Sequence, residues 1–241
     1  MRRAAIAAVS AALLLLGGAA VAVRLTDRAS AVAAKSTLAL LTSLPLMFGE
    51  RFGLEGGGSA TLTRLEQHYA VVPIAVADRA SLKRHNLLLM AHPRAQPAEV
   101  LVELDRWVRE GGHVLLLADP KLEWDSDRPL GDPLRPPLYF ADTGLLGHWG
   151  LRLDAPGVDG PASVVAGAYE ILVASAGTLA GGGACAVEAA GLVARCRIGR
   201  GKATVIADAD FLNVEGPGAL DGPTAHNLDL LIAELTRLES R

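Results

Sequence analysis

The sequence predicts an α/β fold built on a mostly parallel β-sheet, and two buried strands joined by a helix carry this prediction. Residues 87–91 and 113–118 are short, continuous apolar segments, which is typical of strands covered on both faces. Between them, apolar residues recur at helical spacing over residues 97–108, and a glycine pair ends the helix. Short connections of this kind produce a right-handed crossover, so the two strands should be parallel.

Length and composition restrict the function classes. The 241 residues are enough for one substantial domain and a small appendage. Apolar residues make up 51% of the chain and charged residues 20%, so most of it should bury a core. The net charge is -3 and aromatic residues are only 4%, and the sequence contains no basic block. A nucleic-acid partner is therefore not expected, because neither a phosphate-binding patch nor a stacking surface is present.

The first 24 residues are predicted to be a membrane anchor or a signal peptide. Residues 4–23 carry no charge and follow two arginines, and a helix of that length would cross a bilayer. A cleaved signal peptide is the alternative, with Ala20-Val21-Ala22 as its cleavage site. We favour the anchor because the apolar run is longer than that of a usual signal peptide. The predicted organisation is an anchor or signal peptide at 1–24, a linker at 25–35 and an exported α/β domain at 36–241.

The remaining elements follow from apolar periodicity and turn residues. Further strands are predicted at residues 35–42, 70–75, 151–153, within 163–175, and at 184–187, 193–198 and 203–207. Further helices are predicted at residues 60–68, 143–149 and 225–238. The Gly-rich loop at 48–58 lacks the Gly-Lys-Ser/Thr of a phosphate-binding loop. The long Pro- and Asp-rich loop at 120–137 is of a kind that is usually functional or mobile.

The two cysteines flank a predicted hairpin turn. Cys185 and Cys196 are equally distant from Ala190-Gly191, so the hairpin would place their sulfur atoms opposite each other. A disulfide bond is expected in an oxidising compartment, and two buried free thiols are the alternative. No further cysteine or histidine stands nearby at ligand spacing, so a metal site is not predicted here.

Polar residues follow several predicted strands and are the candidate site. In open parallel sheets, ligands bind at the carboxyl ends of the strands, so these residues could form the rim of one crevice. The alternative is that the aspartates only cap the following turns. The candidate rim residues are Ser43, His92, Asp119, Asp208, Asp210 and Asn213.

The sequence contains no recognisable catalytic motif. No Gly-x-Ser-x-Gly or Gly-x-Cys-x-Gly segment follows a predicted strand, and the six histidines form no zinc-binding pair. Asp208 and Asp210 could bind a divalent cation, but no further carboxylates stand nearby to complete a site. We therefore predict no catalytic residue, no metal and no cofactor.

Several segments, in this order, resemble the GldG-type family of gliding-motility proteins, which are uncharacterised auxiliary proteins of ABC transport. They span about residues 37 to 238. The matching segments are Ala91-His92-Pro93, the strand end at 117–120, Leu145-Leu146 with Trp149-Gly150-Leu151, Gly199-Arg200-Gly201-Lys202 leading to the segment at 207–213, and Asn227.

The resemblance implies a flavodoxin-like, class I glutamine-amidotransferase-like three-layer sandwich that has no catalytic triad. The amidotransferase cysteine would correspond roughly to Asp119-Pro120, so no glutaminase activity is expected. The expected protein is a non-enzymatic auxiliary domain, anchored in the inner membrane by one N-terminal helix, with its globular part in the periplasm. Its expected partners are the membrane and the permease or ATPase of an ABC transporter.

Two alternatives to this function remain open. One is a divergent envelope hydrolase that uses the strand-end acids Asp119, Asp208 and Asp210. The other is an envelope scaffold that binds no ligand.

Overall fold

A seven-stranded mixed sheet lies at the centre of the protein, whose computed structural model describes residues 35–47, 58–215, 220, 224 and 226–240. The described residues from Ser36 onward belong to one compact unit. The strands are β1 (Thr37–Thr42), β2 (Ala70–Pro73), β3 (Leu87–Ala91), β4 (His113–Leu117), β5 (Leu151–Asp154), β6 (Pro161–Ala166), β7 (Tyr169–Ala174), β8 (Thr178–Gly181), β9 (Cys185–Glu188), β10 (Val193–Ile198) and β11 (Gly201–Ile206). The strand order across the central sheet is β2-β1-β3-β4-β11-β10-β9.

Five helices accompany the strands in the described part of the chain. They are α1 (Ala60–His68), α2 (Arg79–Leu82), α3 (Ala98–Arg109), α4 (Leu145–His148) and α5 (Asn227–Glu239). Strands β3 and β4 are parallel and are joined through α3, which is the crossover that the apolar pattern predicts. All five residues of β3 are buried, because the strand has neighbours on both edges and packing on both faces.

Helices α3 and α5 cover opposite faces of the sheet. Gly201 lies against α3, where an added Cβ would come within 2.1 Å of the Val108 carbonyl oxygen. The next residue, Lys202, lines a groove together with Leu238 of α5. Because successive strand residues point to opposite faces, the two helices must lie on different sides.

Half of the strand pairing is antiparallel, which corrects the predicted fold class. Among the described residues, four strand pairs are parallel and four are antiparallel. The antiparallel pairs are β9–β10, β10–β11, β5–β8 and β6–β7. The predicted flavodoxin-like sandwich with a mostly parallel sheet is therefore wrong. For β6–β7, β9–β10 and β10–β11 the physical reason is connection length: a few residues can only reverse the chain direction, whereas a parallel pair needs a crossover of a dozen or more.

Several element boundaries differ from the prediction. The weak strands expected within residues 163–175 are a full hairpin, β6–β7, and α4 is shorter than the predicted segment at 143–149. In the β9–β10 hairpin, Cys185 and Cys196 lie directly opposite each other and are joined by a disulfide bond. Most of the Gly-rich segment at 48–58 lies outside the described residues.

The predicted membrane anchor at residues 1–24 also lies outside the described residues. Within the ranges that the structure describes, no helix is long and apolar enough to cross a bilayer. The expected single-pass inner-membrane location, the periplasmic domain, and the membrane and transporter subunits as partners are therefore corrected, since nothing in the described residues supports them.

Candidate functional site

Three aspartates meet where β4 and β11 end. Asp119 comes two residues after the end of β4, and Asp208 comes two residues after the end of β11. The two strands are adjacent and parallel, with Ile206 opposite Leu117. The segments that carry Asp119 and Asp208 therefore leave the sheet at the same end of these strands. One oxygen atom from each of Asp119, Asp208 and Asp210 lies within 4.8 Å of the other two, and the three residues are at most 1% exposed. We call this group the aspartate cluster.

Each carboxyl group of the aspartate cluster accepts hydrogen bonds from backbone amides. Such bonds stabilise the ionised form of a carboxyl group and satisfy its buried oxygen atoms. The bonds are Lys121 N to Asp119 Oδ1 (2.8 Å), Ala209 N to Asp119 Oδ2 (2.8 Å), Phe211 N to Asp208 Oδ1 (2.8 Å), Ala174 N to Asp208 Oδ2 (3.1 Å) and Glu123 N to Asp210 Oδ2 (2.8 Å).

Burial outweighs these bonds and raises all three pKa values. Loss of hydration raises the pKa of Asp119 to about 6, although bonds from the Ala209, Lys121 and Asp210 amides act against it. Burial, followed by the charge of Asp119, raises the pKa of Asp210 to about 8. Burial and then the charges of Asp119 and Asp210 raise the pKa of Asp208 well above its ordinary value. The cluster therefore retains protons at neutral pH.

A polar network connects the aspartate cluster with solvent. Glu123, whose amide binds Asp210, has a side chain that is 25% exposed. Its Oε1 atom accepts a hydrogen bond from the buried Ser175 hydroxyl and lies 3.2 Å from Lys121 Nζ. Ser175 has a φ of 47°, a conformation that costs energy for a residue with a side chain and that is frequent at functional sites.

No sequence motif identifies Glu123, Ser175 or Lys121 as site residues. Glu123 and Lys121 belong to the loop after β4, which the sequence marks only as long and polar. Ser175 directly follows β7, and the β6–β7 hairpin was predicted only weakly. No local motif distinguishes Ser175, so its position next to Glu123 depends on tertiary packing.

Two predicted rim residues form a separate contact. The Ser43 hydroxyl donates a hydrogen bond to the His92 carbonyl oxygen, which joins the ends of β1 and β3. The His92 ring is buried, and its Nε2 atom lies 2.8 Å from the Pro137 carbonyl oxygen. Burial lowers the pKa of His92 to about 4, so the ring is neutral at pH 7. His92 therefore holds the loop and does not belong to the group of acids within 4.8 Å.

The remaining rim residue, Asn213, adjoins the cluster. Its backbone amide donates a 2.8 Å hydrogen bond to the Asp210 carbonyl oxygen. It also lines a cavity of about 190 Å³ together with Trp124, which directly follows Glu123 in the chain.

The loop at residues 120–140, here called the cover loop, closes over the Asp119 end of the sheet. The Phe140 amide donates a 2.7 Å hydrogen bond to the Asp119 carbonyl oxygen, so the loop returns to the residue where it began. A bond of 2.9 Å from the Leu122 amide to the Leu138 carbonyl joins its two sides. The amides of Lys121 and Glu123 in this loop bind Asp119 and Asp210, so the cover loop is one of the elements that bury the aspartate cluster.

A shared proton fits the aspartate cluster better than a metal ion does. Three carboxyl groups could supply three oxygen ligands, whereas Mg²⁺ takes six ligands and Ca²⁺ six to eight. Both oxygens of Asp119 and both of Asp208 already accept amide hydrogen bonds. The other ligands would have to be water molecules, at a site that is almost completely buried.

No protein-family model and no curated protein matches the chain. Several solved structures resemble it. A cytoplasmic protein from Salmonella typhimurium LT2 is 12% identical, with a TM-score of 0.51, over 85% of this chain and 100% of that chain. A GH42 beta-galactosidase from G. stearothermophilus is 15% identical, with a TM-score of 0.50, over 86% of this chain and 30% of that chain. An exo-beta-1,4-mannosidase from Opitutaceae bacterium strain TAV5 is 14% identical, with a TM-score of 0.44, over 89% of this chain and 36% of that chain.

The chain spans about a third of the length of these glycosidases. At such identities, the likeness to the beta-galactosidase and to the Salmonella protein shows a shared fold alone. The expected glutamine-amidotransferase-like and flavodoxin-like class is corrected to the mixed α/β fold that these proteins share with the chain.

Proposed function

We propose that the protein is a hydrolase whose acid–base pair is Asp119 and Asp210. One observation carries the proposal: two buried carboxyl groups within 4.8 Å of each other have pKa values of about 6 and about 8. At pH 7, Asp119 is then mostly ionised and Asp210 is mostly protonated. Neighbouring carboxyl groups with separated pKa values are the usual arrangement for a base or nucleophile beside a general acid.

Glycosides are the substrate class that this pair fits best. Glycoside hydrolysis uses two carboxyl groups, one protonated and one ionised, on either side of the bond that breaks. The cavity lined by Asn213 and Trp124 offers the indole ring of Trp124, whose apolar face could contact a sugar ring. The fold shared with part of a beta-galactosidase supports β-galactosides as the first compounds to test.

The spacing of the two carboxyl groups favours retention of configuration at the sugar. Retaining glycosidases have carboxyl groups about 5–5.5 Å apart, and inverting enzymes about 6.5–9.5 Å apart, which leaves room for a water molecule. One oxygen atom of Asp119 and one of Asp210 lie within 4.8 Å of each other, which is closer to the retaining separation. In the first step, Asp210 gives its proton to the glycosidic oxygen as that bond breaks, and the Asp119 carboxylate bonds to the sugar carbon. Water then attacks this carbon, Asp210 takes up its proton, and Asp119 is released.

Asp208 and the cover loop have supporting roles in this proposal. Asp208 is fully buried, which raises its pKa well above the ordinary value and favours its neutral form beside the pair. A neutral Asp208 adds no further negative charge next to Asp119. The cover loop must open to admit the substrate and must close again to exclude bulk water from the reaction.

A non-enzymatic binding domain is the second candidate, and the closed geometry of the site favours it. The aspartates are buried, and each accepts backbone hydrogen bonds, so they could serve only to fix the strand ends and the cover loop. The resemblance of the sequence to GldG-type auxiliary proteins supports the same candidate. In this case Asp119 and Asp210 contribute to stability and not to turnover.

Hydrolysis of aryl β-galactosides and a panel of other aryl glycosides distinguishes the two candidates. The hydrolase proposal expects turnover by the wild-type protein. It also expects a loss of at least about 100-fold in Asp119→Asn and Asp210→Asn, as for removal of a general acid or base. Asp154→Asn is the matched control, because Asp154 is partly exposed and pairs with Arg152 within β5, a strand that carries none of the aspartate cluster. If the folded wild-type protein hydrolyses none of the panel, the binding domain is the better interpretation.

A further inference from the structure

A second candidate site lies at the opposite end of β11 from the aspartate cluster. Lys202 stands at the start of this strand, whereas Asp208 follows its end. Here a groove of about 530 Å³ runs between β9–β11 and the C-terminal end of α5. This volume falls within the range of about 300–1,000 Å³ that is common for small-molecule sites. We call it the basic groove.

Four cationic side chains line the basic groove: Arg195, Arg197, Lys202 and Arg237. None of its described lining residues is acidic, although the whole chain has a net charge of -3. The charge of the groove is therefore opposite to that of the protein as a whole. A groove lined by one sign of charge concentrates ligands of the opposite sign.

Two of these cations lie directly beside each other on adjacent strands. Arg197 of β10 is directly opposite Lys202 of β11 in the antiparallel register. Like charges in directly opposite positions destabilise a sheet. Lys202 Nζ donates a hydrogen bond to the Ser240 carbonyl oxygen at the end of α5, and an anion bound beside Arg197 and Lys202 would reduce the remaining repulsion.

Arg195 is held in place by two glutamates. Its Nη2 and Nε atoms lie 2.6 Å and 2.9 Å from the two carboxylate oxygens of Glu234, and it also binds Glu188. Glu234 is only 2% exposed, so this two-point contact is largely protected from solvent. Arg237 Nε lies 3.8 Å from Glu234 Oε1, which is a looser contact. Both glutamates therefore mainly neutralise Arg195, and the basic groove keeps an excess of positive charge.

The floor of the basic groove is rigid. Cys196 lies between Arg195 and Arg197 in β10, and its disulfide bond to Cys185 ties β10 to the edge strand β9. Because side chains alternate along a strand, the two arginines share the face opposite to that of Cys196. A site that is already fixed loses less conformational freedom when a ligand binds.

We propose that the basic groove binds a small organic molecule that carries a phosphate group. Guanidinium and ammonium groups together are the usual ligands of phosphate, and arginine can bind two of its oxygens at once. The groove is larger than one phosphate needs, and Ala184, Ala186 and Leu238 provide apolar surface for an organic part. The proposal does not depend on the proposed hydrolase activity, because it uses none of the residues of the aspartate cluster.

Isothermal titration calorimetry of the full chain tests this proposal, at constant ionic strength and with phenyl phosphate, inorganic phosphate and benzoate as probes. We expect saturable binding of phenyl phosphate, and weaker binding of inorganic phosphate and of benzoate. The double variant Arg197→Gln/Lys202→Gln should bind phenyl phosphate at least about ten-fold more weakly, because two charge-assisted hydrogen bonds are lost.

The control variant is Lys83→Gln/Arg84→Gln, which removes the same charge from exposed positions after α2. Its affinity should equal that of the wild type. An equal loss in both double variants would mean non-specific charge attraction and would overturn the proposal, as would the absence of binding to the wild type. Equal affinity for phenyl phosphate and inorganic phosphate would overturn the proposal that the groove also binds the organic group of the ligand. Arg237→Gln provides a second test on an exposed side chain, with an expected loss of several-fold.

Discussion

The backbone amide of Ala209 donates a 2.8 Å hydrogen bond to Asp119 Oδ2, which ties the segment after β11 to the residue after β4. The two residues are 90 positions apart in the chain. A buried carboxyl group thus connects two adjacent strand ends, and its protonation state affects both the stability of the fold and the chemistry of the site.

Stability should decrease as the pH rises from about 4 to about 8. The pKa values of Asp119 and Asp210 rise from 3.8 to about 6 and about 8 in the folded state. The folded protein therefore binds more protons than the unfolded chain in this window, so stabilisation present at low pH is lost as the pH increases. For Asp119 alone, the loss amounts to about 3 kcal/mol of the free energy of unfolding.

Urea unfolding between pH 5 and pH 8 measures this dependence. The Asp210→Asn variant should have a flatter profile between pH 6 and pH 8, because the group that titrates there is removed. The Asp154→Asn variant, which changes a partly exposed side chain paired with Arg152, should keep the wild-type slope in the same range. A free energy of unfolding that increases across this window in the wild type would contradict the raised pKa values.

Replacement of Asp208 should destabilise the fold, and alanine should destabilise it more than asparagine. Its oxygen atoms accept hydrogen bonds from the Phe211 and Ala174 amides. Asparagine has one acceptor oxygen, so Asp208→Asn should cost about 1–3 kcal/mol for one buried amide without a partner. Asp208→Ala leaves both amides without partners and creates a cavity, so it should cost more. Chemical denaturation gives both values, and the explanation fails if Ala is tolerated as well as Asn.

His92 should control the mobility of the cover loop. His92→Asn removes the ring that lies 2.8 Å from the Pro137 carbonyl oxygen. Asparagine tolerates the positive φ of 46° at this position, so the backbone need not change. Loss of one hydrogen bond of about 1 kcal/mol should make cleavage within the loop about five-fold faster.

Limited proteolysis with chymotrypsin measures this effect, since Leu130, Leu134 and Tyr139 of the loop are exposed. The control is His148→Asn, at an exposed position on α4. Cleavage within the cover loop at the same rate in the wild type and in both variants would show that His92 does not hold the loop.

The disulfide bond should contribute measurably to stability. Cys185 and Cys196 are 11 residues apart, and closing a loop of that length in the unfolded chain corresponds to about 3 kcal/mol in the chain-entropy description. The double variant Cys185→Ser/Cys196→Ser should lose about this free energy of unfolding. Reducing agent should lower the stability of the wild type towards that of the variant and should leave the variant itself unchanged.

The sequence alone determines the features of this protein that depend on residues close together in the chain. The apolar segments of β3 and β4 and the helical spacing of α3 specify a parallel crossover, because each pattern is local and matches one secondary structure. The same reasoning places Asp119 and Asp208 just beyond strand ends. The positions of Cys185 and Cys196 around a turn also come from local symmetry in the sequence.

Only the tertiary structure decides which of these local features meet. The contact between Asp119 and Asp208 requires β4 and β11 to be adjacent, although they are far apart in the chain. The approach of Ser175 to Glu123 and the pairing of Arg197 with Lys202 likewise depend on strand register. Register and strand order are set by the packing of the whole core and the lengths of the connections. The sequence therefore indicates individual site residues, whereas strand order and register decide which of them lie together in one site.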